Sequence, residues 1–129
     1  MIKYLLKSAV ILSTSLLTIP AFAVEQPIAV LQGLDKVTAR VSTFETRLDE
    51  EVKFGAISIV VRHCDRTPPE EAPESSAYLE ISESKRGEET RELFKGWMFA
   101  SSPAVSAMEH PVYDIWVLEC KAEASSLAE

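Results

Sequence analysis

Beyond residue 23, the apolar residues of this chain occur only in short segments, and this pattern limits the possible folds more than any other feature. Several of these segments alternate apolar and polar residues with a period of two, as half-buried β-strands do. In the first, Val37, Ala39 and Val41 share one face. The predicted strands are residues 36–46, 52–54, 56–62, 78–82, 89–99 and 113–120.

Glycine and proline mark the predicted connections. Gly55 separates two of the strands, and Gly87 lies in the turn of a predicted hairpin at residues 85–88, where a positive φ suits glycine. Residues 67–74 contain three prolines, which deny backbone donors to any helix or sheet. We therefore expect an extended, solvated loop there.

One short helix is predicted before the last strand. Ser102 is positioned as an N-cap and Pro103 as the first helical residue, so we expect one or two helical turns over residues 104–109. Pro111 ends this segment. Since no strand–helix–strand spacing occurs, the predicted fold class is all-β, mainly an antiparallel small barrel or sandwich, with one short helix.

Residues 1–23 have the composition of a secretory signal peptide. Lys3 and Lys7 precede an apolar stretch, and Ala21 and Ala23 provide the small residues that a signal peptidase reads. The alternative is a membrane anchor, but the stretch is shorter than the roughly 20 residues that a span needs and is diluted by Ser and Thr. We expect cleavage between Ala23 and Val24, a periplasmic or secreted location, and no stable membrane span in the mature form.

The remaining chain is predicted to contain one domain. Residues 24–34 are interpreted as a flexible arm, residues 35–120 as a single β domain and residues 121–129 as a disordered tail rich in Ala, Ser and Glu.

Cys64 and Cys120 are the only cysteines of the chain. An exported protein meets an oxidising compartment, and an even count permits one intrachain bridge, so we predict a Cys64–Cys120 disulfide. A functional thiol pair and two unpaired cysteines are the alternatives. Neither a C-x-x-C motif nor a histidine cluster favours a redox or metal-binding role.

The balance of charge excludes several partners. The chain has 20 acidic and 13 basic residues and a formal net charge of −7, so it has no sequence-wide electrostatic footprint for nucleic acid. The acidic residues between positions 70 and 92 are interpreted as a solvated face, because no calcium-binding loop motif occurs. We predict no metal and no cofactor.

Large and chemically versatile residues (Trp, Met, His and Tyr) concentrate near the C-terminal end of the predicted domain. This block is interpreted as a candidate binding surface, for an envelope protein or a cell-wall component. Its members are Trp97, Ser101, Ser102, Glu109, His110, Tyr113 and Asp114.

The same block permits two other interpretations. An envelope hydrolase would use Ser101 or Ser102 as nucleophile, His110 as base and Asp114 to orient it. No G-x-S-x-G motif occurs, and Pro103 lacks the N–H that an oxyanion hole needs, so no catalytic residue is assigned. In the second interpretation the block is simply core and turn.

The chain also resembles a known family. The similar segments are residues 34–41 (LDKVTARV), residues 54–64 with PPEE at 68–71, residues 96–103 (GWMFASSP) and residues 109–114 (EHPVYD). They resemble the small secreted bacterial proteins grouped as domain of unknown function 2155, over residues 34–120. The resemblance implies export and both cysteines as a family feature, and it implies no activity. The predicted function is a non-catalytic binding or assembly module of the cell envelope.

The signal peptide gives the first testable prediction. Mass spectrometry of protein purified from its native cells is expected to find Val24 at the N-terminus. An Ala21→Arg variant is expected to keep its leader, because a large charged residue blocks the small-residue cleavage site. Native protein that retains Met1 would contradict the prediction.

Overall fold

A computed structural model describes residues 17–18 and 23–123. In these residues, eight strands form one five-stranded and one three-stranded antiparallel sheet, and a single 3₁₀ turn, Pro103–Val105, precedes the last strand. The strands are β1 (Val24–Glu25), β2 (Ile28–Asp35), β3 (Arg40–Arg47), β4 (Glu51–Phe54), β5 (Ile57–Arg66), β6 (Ser75–Glu83), β7 (Arg91–Phe99) and β8 (Tyr113–Lys121).

The two sheets pack around one core and do not close into a barrel. The larger sheet has the order β1–β5–β6–β7, and β4 shares with β1 the edge of β5 that faces away from β6. The smaller sheet has the order β3–β2–β8. The predicted all-β class is confirmed.

The core is built from the inward faces of both sheets. In β6 every second residue from Ser75 to Glu83 is buried, as the alternation of its sequence predicts. The fully buried side chains of the larger sheet meet those of β2 and β8 across the interface. The largest fully buried side chains of the two sheets include Leu31 of β2 and, in the larger sheet, Ile57, Ile59, Val61, Leu79 and Ile81.

A β-bulge interrupts β5 at Arg62. Val61 pairs with Leu79, but the next residue of β6, Tyr78, pairs with His63, so Arg62 is an extra residue. Because a bulge places two consecutive residues opposite one, Arg62 and His63 both face away from the core. Cys64 then returns to the inward face and is fully buried.

The predicted disulfide between Cys64 and Cys120 is present. It joins β5 of the larger sheet to β8 of the smaller one, with the two Cα atoms 5.5 Å apart. Both cysteines belong to the buried core cluster, so the bridge fastens the two sheets from inside.

The prediction of a flexible arm at residues 24–34 is wrong for most of that segment. Ile28–Asp35 is β2, the central strand of the smaller sheet, paired with β3 on one side and β8 on the other. Its first four residues are all buried, so they form a continuous apolar run instead of an alternating one. A run of this kind carries no period-two signal.

The predicted strand at residues 36–46 begins later than expected. Residues 36–39 form a turn in which the Asp35 carboxylate accepts hydrogen bonds from the backbone N–H groups of Val37 and Thr38, at 2.9 and 3.2 Å. Ala39 has a positive φ of 57°. Val41, expected to face inward, is instead 56% exposed.

The predicted helix at residues 104–109 is reduced to the 3₁₀ turn Pro103–Val105. The Ser102 side chain makes no capping hydrogen bond, and the turn contains no buried residue. Met108, which lies beyond the turn, is buried in the core without being helical, so no apolar face of the turn itself packs on the core to extend it into a helix.

The predicted reversals at Gly55 and Gly87 are confirmed, with φ values of 58° and 80°. Most of the predicted signal peptide and residues 124–129 of the predicted tail lie outside the described residues. Lys121, which was assigned to that tail, is the last residue of β8. The part of the chain that the structure describes contains no helix long and apolar enough to cross a membrane.

The disulfide gives the second prediction. A Cys64→Ser, Cys120→Ser double variant is expected to unfold at lower urea concentration. The bridge links residues 56 positions apart, and opening a loop of that size costs about 4 kcal/mol of stability in the chain-entropy model. Reduced wild-type protein is the matched control and should show the same loss. Equal urea midpoints for oxidised protein and double variant would contradict the prediction.

Candidate functional site

His110, the proposed base or contact residue, lies inside the fold. Its Nδ1 accepts hydrogen bonds from the backbone N–H groups of Val112 and Tyr113, at 3.0 and 3.1 Å. These two bonds assign the ring proton to Nε2, which donates to the Glu83 carboxylate at 3.2 Å. Both ring nitrogens are therefore engaged in holding the β8 entry to the end of β6.

Glu83 is a buried carboxylate that depends on this histidine. The hydrogen bond from His110 is the largest influence on Glu83 and lowers its pKa. Burial acts in the opposite direction, but the nearby Lys85 and Arg91 cations add to the lowering. The net pKa of Glu83 is therefore below its ordinary value. The Lys85 and Arg91 cations lie 3.7 and 3.6 Å from its oxygens. Glu83 is thus held ionised at the end of the core.

Tyr113 has a structural role at the β4–β5 turn. Its hydroxyl oxygen accepts a hydrogen bond from the backbone N–H of Ala56 at 3.2 Å, and its ring meets that of Phe54 edge-on at 5.7 Å. A Cβ atom at Gly55 would overlap the Tyr113 ring, so this turn requires glycine for space as well as for its φ. Asp114 pairs with Lys36 at 3.0 Å.

Ser101 is bound to Glu74. The Glu74 carboxylate accepts a hydrogen bond from the Ser101 backbone N–H at 3.1 Å and another from its hydroxyl. Partial burial raises the pKa of Glu74, but the hydrogen bonds from Ser101 and from the Ser75 backbone outweigh burial, so the net pKa is lowered. A carboxylate with a lowered pKa is a weaker base than an ordinary one.

The structure therefore does not assemble the triad considered from the sequence. The hydroxyls of Ser101 and Ser102 lie 3.5 Å from each other, and neither hydrogen-bonds to His110. Asp114 is paired with Lys36 instead of orienting the imidazole. Glu109 is exposed beside this cluster. Residues 101–114 thus divide between a serine–glutamate contact and a turn held by the buried His110.

Trp97 lies elsewhere, on the outer face of the larger sheet. It pairs with Tyr78 on β6, which pairs in turn with His63 on β5, so three aromatic rings align across three neighbouring strands. Trp97 meets Tyr78 edge-on at 5.6 Å and lies nearly parallel to His63 at 6.1 Å. We call His63, Tyr78 and Trp97 the aromatic ledge.

An ion-pair network borders the aromatic ledge. The Arg62 guanidinium donates to Glu80 through Nε and Nη2, both at 3.2 Å, and to Asp49 through Nη1 at 2.9 Å. On the far side of Glu80, the Lys95 ammonium lies 4.0 Å from its carboxylate. The ledge, Arg62, Glu80 and Asp49 together line a shallow depression of about 500 Å³.

Sequence reasoning selected Trp97 but missed Arg62, His63 and Tyr78. The sequence predicts a strand at Tyr78 but no functional role for it, and it predicts none for His63. Alternation from Ile57, Ile59 and Val61 directs His63 into the core, and only the bulge reverses this. A strand register would have revealed the aligned rings, but one sequence does not supply it.

The described residues contain no group of three or more His, Cys, Asp or Glu side chains positioned to hold a metal ion. The aromatic ledge and its border present the faces of aromatic rings, one guanidinium and two carboxylates paired with it. Such a set suits non-covalent binding of a ligand.

The fold and this face define a small two-sheet antiparallel β domain with an inter-sheet disulfide and an exposed aromatic surface. The chain belongs to the family described as uncharacterized proteins conserved in bacteria, domain of unknown function 2155, whose model matches residues 29–120. This confirms the resemblance and adds the β2 residues that the sequence analysis had left in the arm. A relative in Rickettsia prowazekii (strain Madrid E), the uncharacterized protein RP359, is 33% identical over 88 residues.

The matched region covers 68% of this chain and 57% of the Rickettsia protein, so the chain spans little more than half the length of that relative. No solved structure matches the chain.

The Glu83–His110 pair gives the third prediction. Because the folded-state pKa of Glu83 lies below its ordinary value, its contribution to stability is complete above that ordinary value and is lost as pH falls through the folded pKa. Urea midpoints measured from pH 7 down to pH 3 should therefore decline more steeply for the wild type than for a Glu83→Gln variant. An identical pH dependence for the two proteins would contradict this role of Glu83.

Proposed function

We propose that this protein is an exported, non-catalytic binding module of the bacterial cell envelope, and that the aromatic ledge is its binding surface. The observation that carries the proposal is the alignment of three aromatic side chains across β5, β6 and β7 on the outer face of the larger sheet. Trp97 is 38% exposed, and the His63 side chain is 55% exposed.

Export is supported by two independent features. Residues 1–23 carry the charge, apolar stretch and small residues of a secretory leader. A disulfide buried between the two sheets persists in an oxidising compartment and is rare in the cytosol.

A non-catalytic role is supported by the engagement of the groups that hydrolysis would need. Both His110 nitrogens are used within the fold, and Ser101 faces a carboxylate of lowered pKa. A serine nucleophile of the triad type needs a histidine base within hydrogen-bond reach, and among the described residues the Ser101 hydroxyl is bound to the Glu74 carboxylate instead.

The aromatic ledge is a better candidate for binding than for stability. The inward side chains of the two sheets already form a closed core, and the ledge projects from the opposite face of the larger sheet. An exposed Trp beside a half-buried Tyr, with a polar border, is typical of binding surfaces, because such side chains provide a large apolar contact at a low cost in conformational entropy. The pairing of Arg62 with Glu80 and Asp49 holds this border in place.

The fourth prediction tests this surface in cells. Protein carrying the photocrosslinking residue benzoylphenylalanine at position 78, which keeps an aromatic ring there, is expected to form covalent adducts with an envelope component. The matched control carries the same residue at position 118, because Leu118 is 42% exposed on β8 of the other sheet.

The adducts from position 78 should disappear when Trp97→Ala is added. Equal yields from positions 78 and 118, or yields from 78 that are insensitive to Trp97→Ala, would contradict the assignment of the binding surface.

A further inference from the structure

The outer face of the larger sheet continues as a polar surface beyond the aromatic ledge. Glu80 lines the ledge depression and also a second one, of about 450 Å³. The second depression is rich in hydroxyl groups. Its polar members beside Glu80 are Glu51, Ser58, Ser82, Ser84, Thr90, Glu92 and Lys95. From Tyr78 to Ser82 the strand β6 extends roughly 13 Å, so this surface is long enough for more than one small ring.

The charged groups of the two depressions are mostly acidic, with Asp49, Glu51, Glu80 and Glu92 against Arg62 and Lys95, and both cations are engaged by carboxylates. Arg62 is paired with Asp49 and Glu80, Lys95 lies beside Glu80, and His63 contacts Glu25 at 3.1 Å. A site for a phosphate or another anionic ligand would instead present an excess of positive charge. The surface therefore favours an uncharged ligand over an anionic one.

Unused hydrogen-bonding capacity remains in the same groups. Arginine has five N–H donors, and the bonds to Asp49 and Glu80 use three of them. The side chain of Asp49 is 68% exposed, so its carboxylate is available to accept from a ligand. A fixed donor adjacent to a fixed acceptor matches the paired hydroxyl groups of a sugar, each of which both donates and accepts.

The aromatic ledge provides the complementary apolar contact. The face of an aromatic ring carries partial negative charge and attracts polarised C–H groups, which a sugar ring presents on its less polar face. The aromatic ledge is thus suited to the C–H groups of a sugar ring. The polar side chains that border it, Arg62 and Asp49, are suited to the sugar's hydroxyl groups.

We infer that the outer face of the larger sheet binds a neutral saccharide chain, with one sugar ring stacked on Trp97 and its hydroxyls bound by Arg62 and Asp49. The chain would continue past Glu80 toward Ser58 and Ser82. This inference rests on the proposed function, since it names the ligand class of the same surface.

A peptide is the main alternative, and the geometry disfavours it. A peptide that binds by strand addition gains most of its affinity by pairing with the free edge of a sheet, here the outer edge of β7, and its contacts would then lie along the backbone of residues 91–99. The aromatic ledge is on the face of the sheet, centred on β6.

The test uses the full disulfide-bonded protein and defined probes. The probes are the oligosaccharides chitotetraose (fully N-acetylated) and cellotetraose, with tetra-alanine as the peptide probe. Trp97 and Trp116 are the only tryptophans, so a Trp116→Phe variant makes Trp97 the sole fluorescent reporter. We expect saturable changes in Trp97 emission with at least one tetrasaccharide and none with tetra-alanine.

Calorimetric titration of variants locates the site. Trp97→Ala should weaken tetrasaccharide binding by about tenfold or more, and Arg62→Gln by about fivefold. Trp116→Phe is the matched control and should bind like the wild type. Retention of the disulfide and of the wild-type circular dichroism in each variant separates loss of binding from loss of fold.

Absence of saturable binding by both tetrasaccharides, or unchanged affinity in Trp97→Ala and Arg62→Gln, would overturn the inference. If crosslinking from position 78 then captures a protein in a Trp97-dependent way, the aromatic ledge remains the binding surface and only its saccharide ligand is wrong. If crosslinking fails as well, the proposed function falls with it.

Discussion

The bulge at Arg62 is the constraint on which the rest of this structure depends. Strict alternation along β5 would direct His63 into the core and Cys64 to solvent, because Ile57, Ile59 and Val61 face inward. One extra residue reverses the order, so that Cys64 reaches Cys120 inside while Arg62 and His63 both face out. The same local irregularity therefore creates the inter-sheet disulfide and one end of the aromatic ledge.

The two ends of β6 carry different chemistry. At its last residue, the buried Glu83 carboxylate and His110 hold the turn that leads into β8, with both imidazole nitrogens engaged. Toward its beginning, on the opposite face, Tyr78 contacts His63 and Trp97. The histidine that looked most like a catalytic group is thus a structural one, and the histidine that looked incidental lies on the exposed surface. Burial and hydrogen-bond partners, which depend on the fold, decide between these roles.

The sequence predicted those parts of the fold where a local pattern and the final structure agree. The strands around Gly55, the hairpin at Gly87, the last strand and the disulfide follow from alternation, turn chemistry and cysteine count. β2 was missed because the residues at its start are buried on both faces and show no alternation. The aromatic ledge was missed because its residues are far apart in the sequence and meet only through strand register and a bulge. Trp97 alone was identified, from its residue type.

The most direct test of the account is an NMR measurement on the isotopically labelled, disulfide-bonded protein with whichever unlabelled tetrasaccharide, chitotetraose or cellotetraose, it binds more tightly. The account predicts intermolecular nuclear Overhauser effects between sugar C–H protons and the Trp97 indole ring. It also predicts backbone shifts confined to Arg62, His63, Tyr78, Glu80 and their neighbours. Shifts centred instead on residues 101–114 or around Trp116 on the smaller sheet, with none on β5–β7, would contradict it.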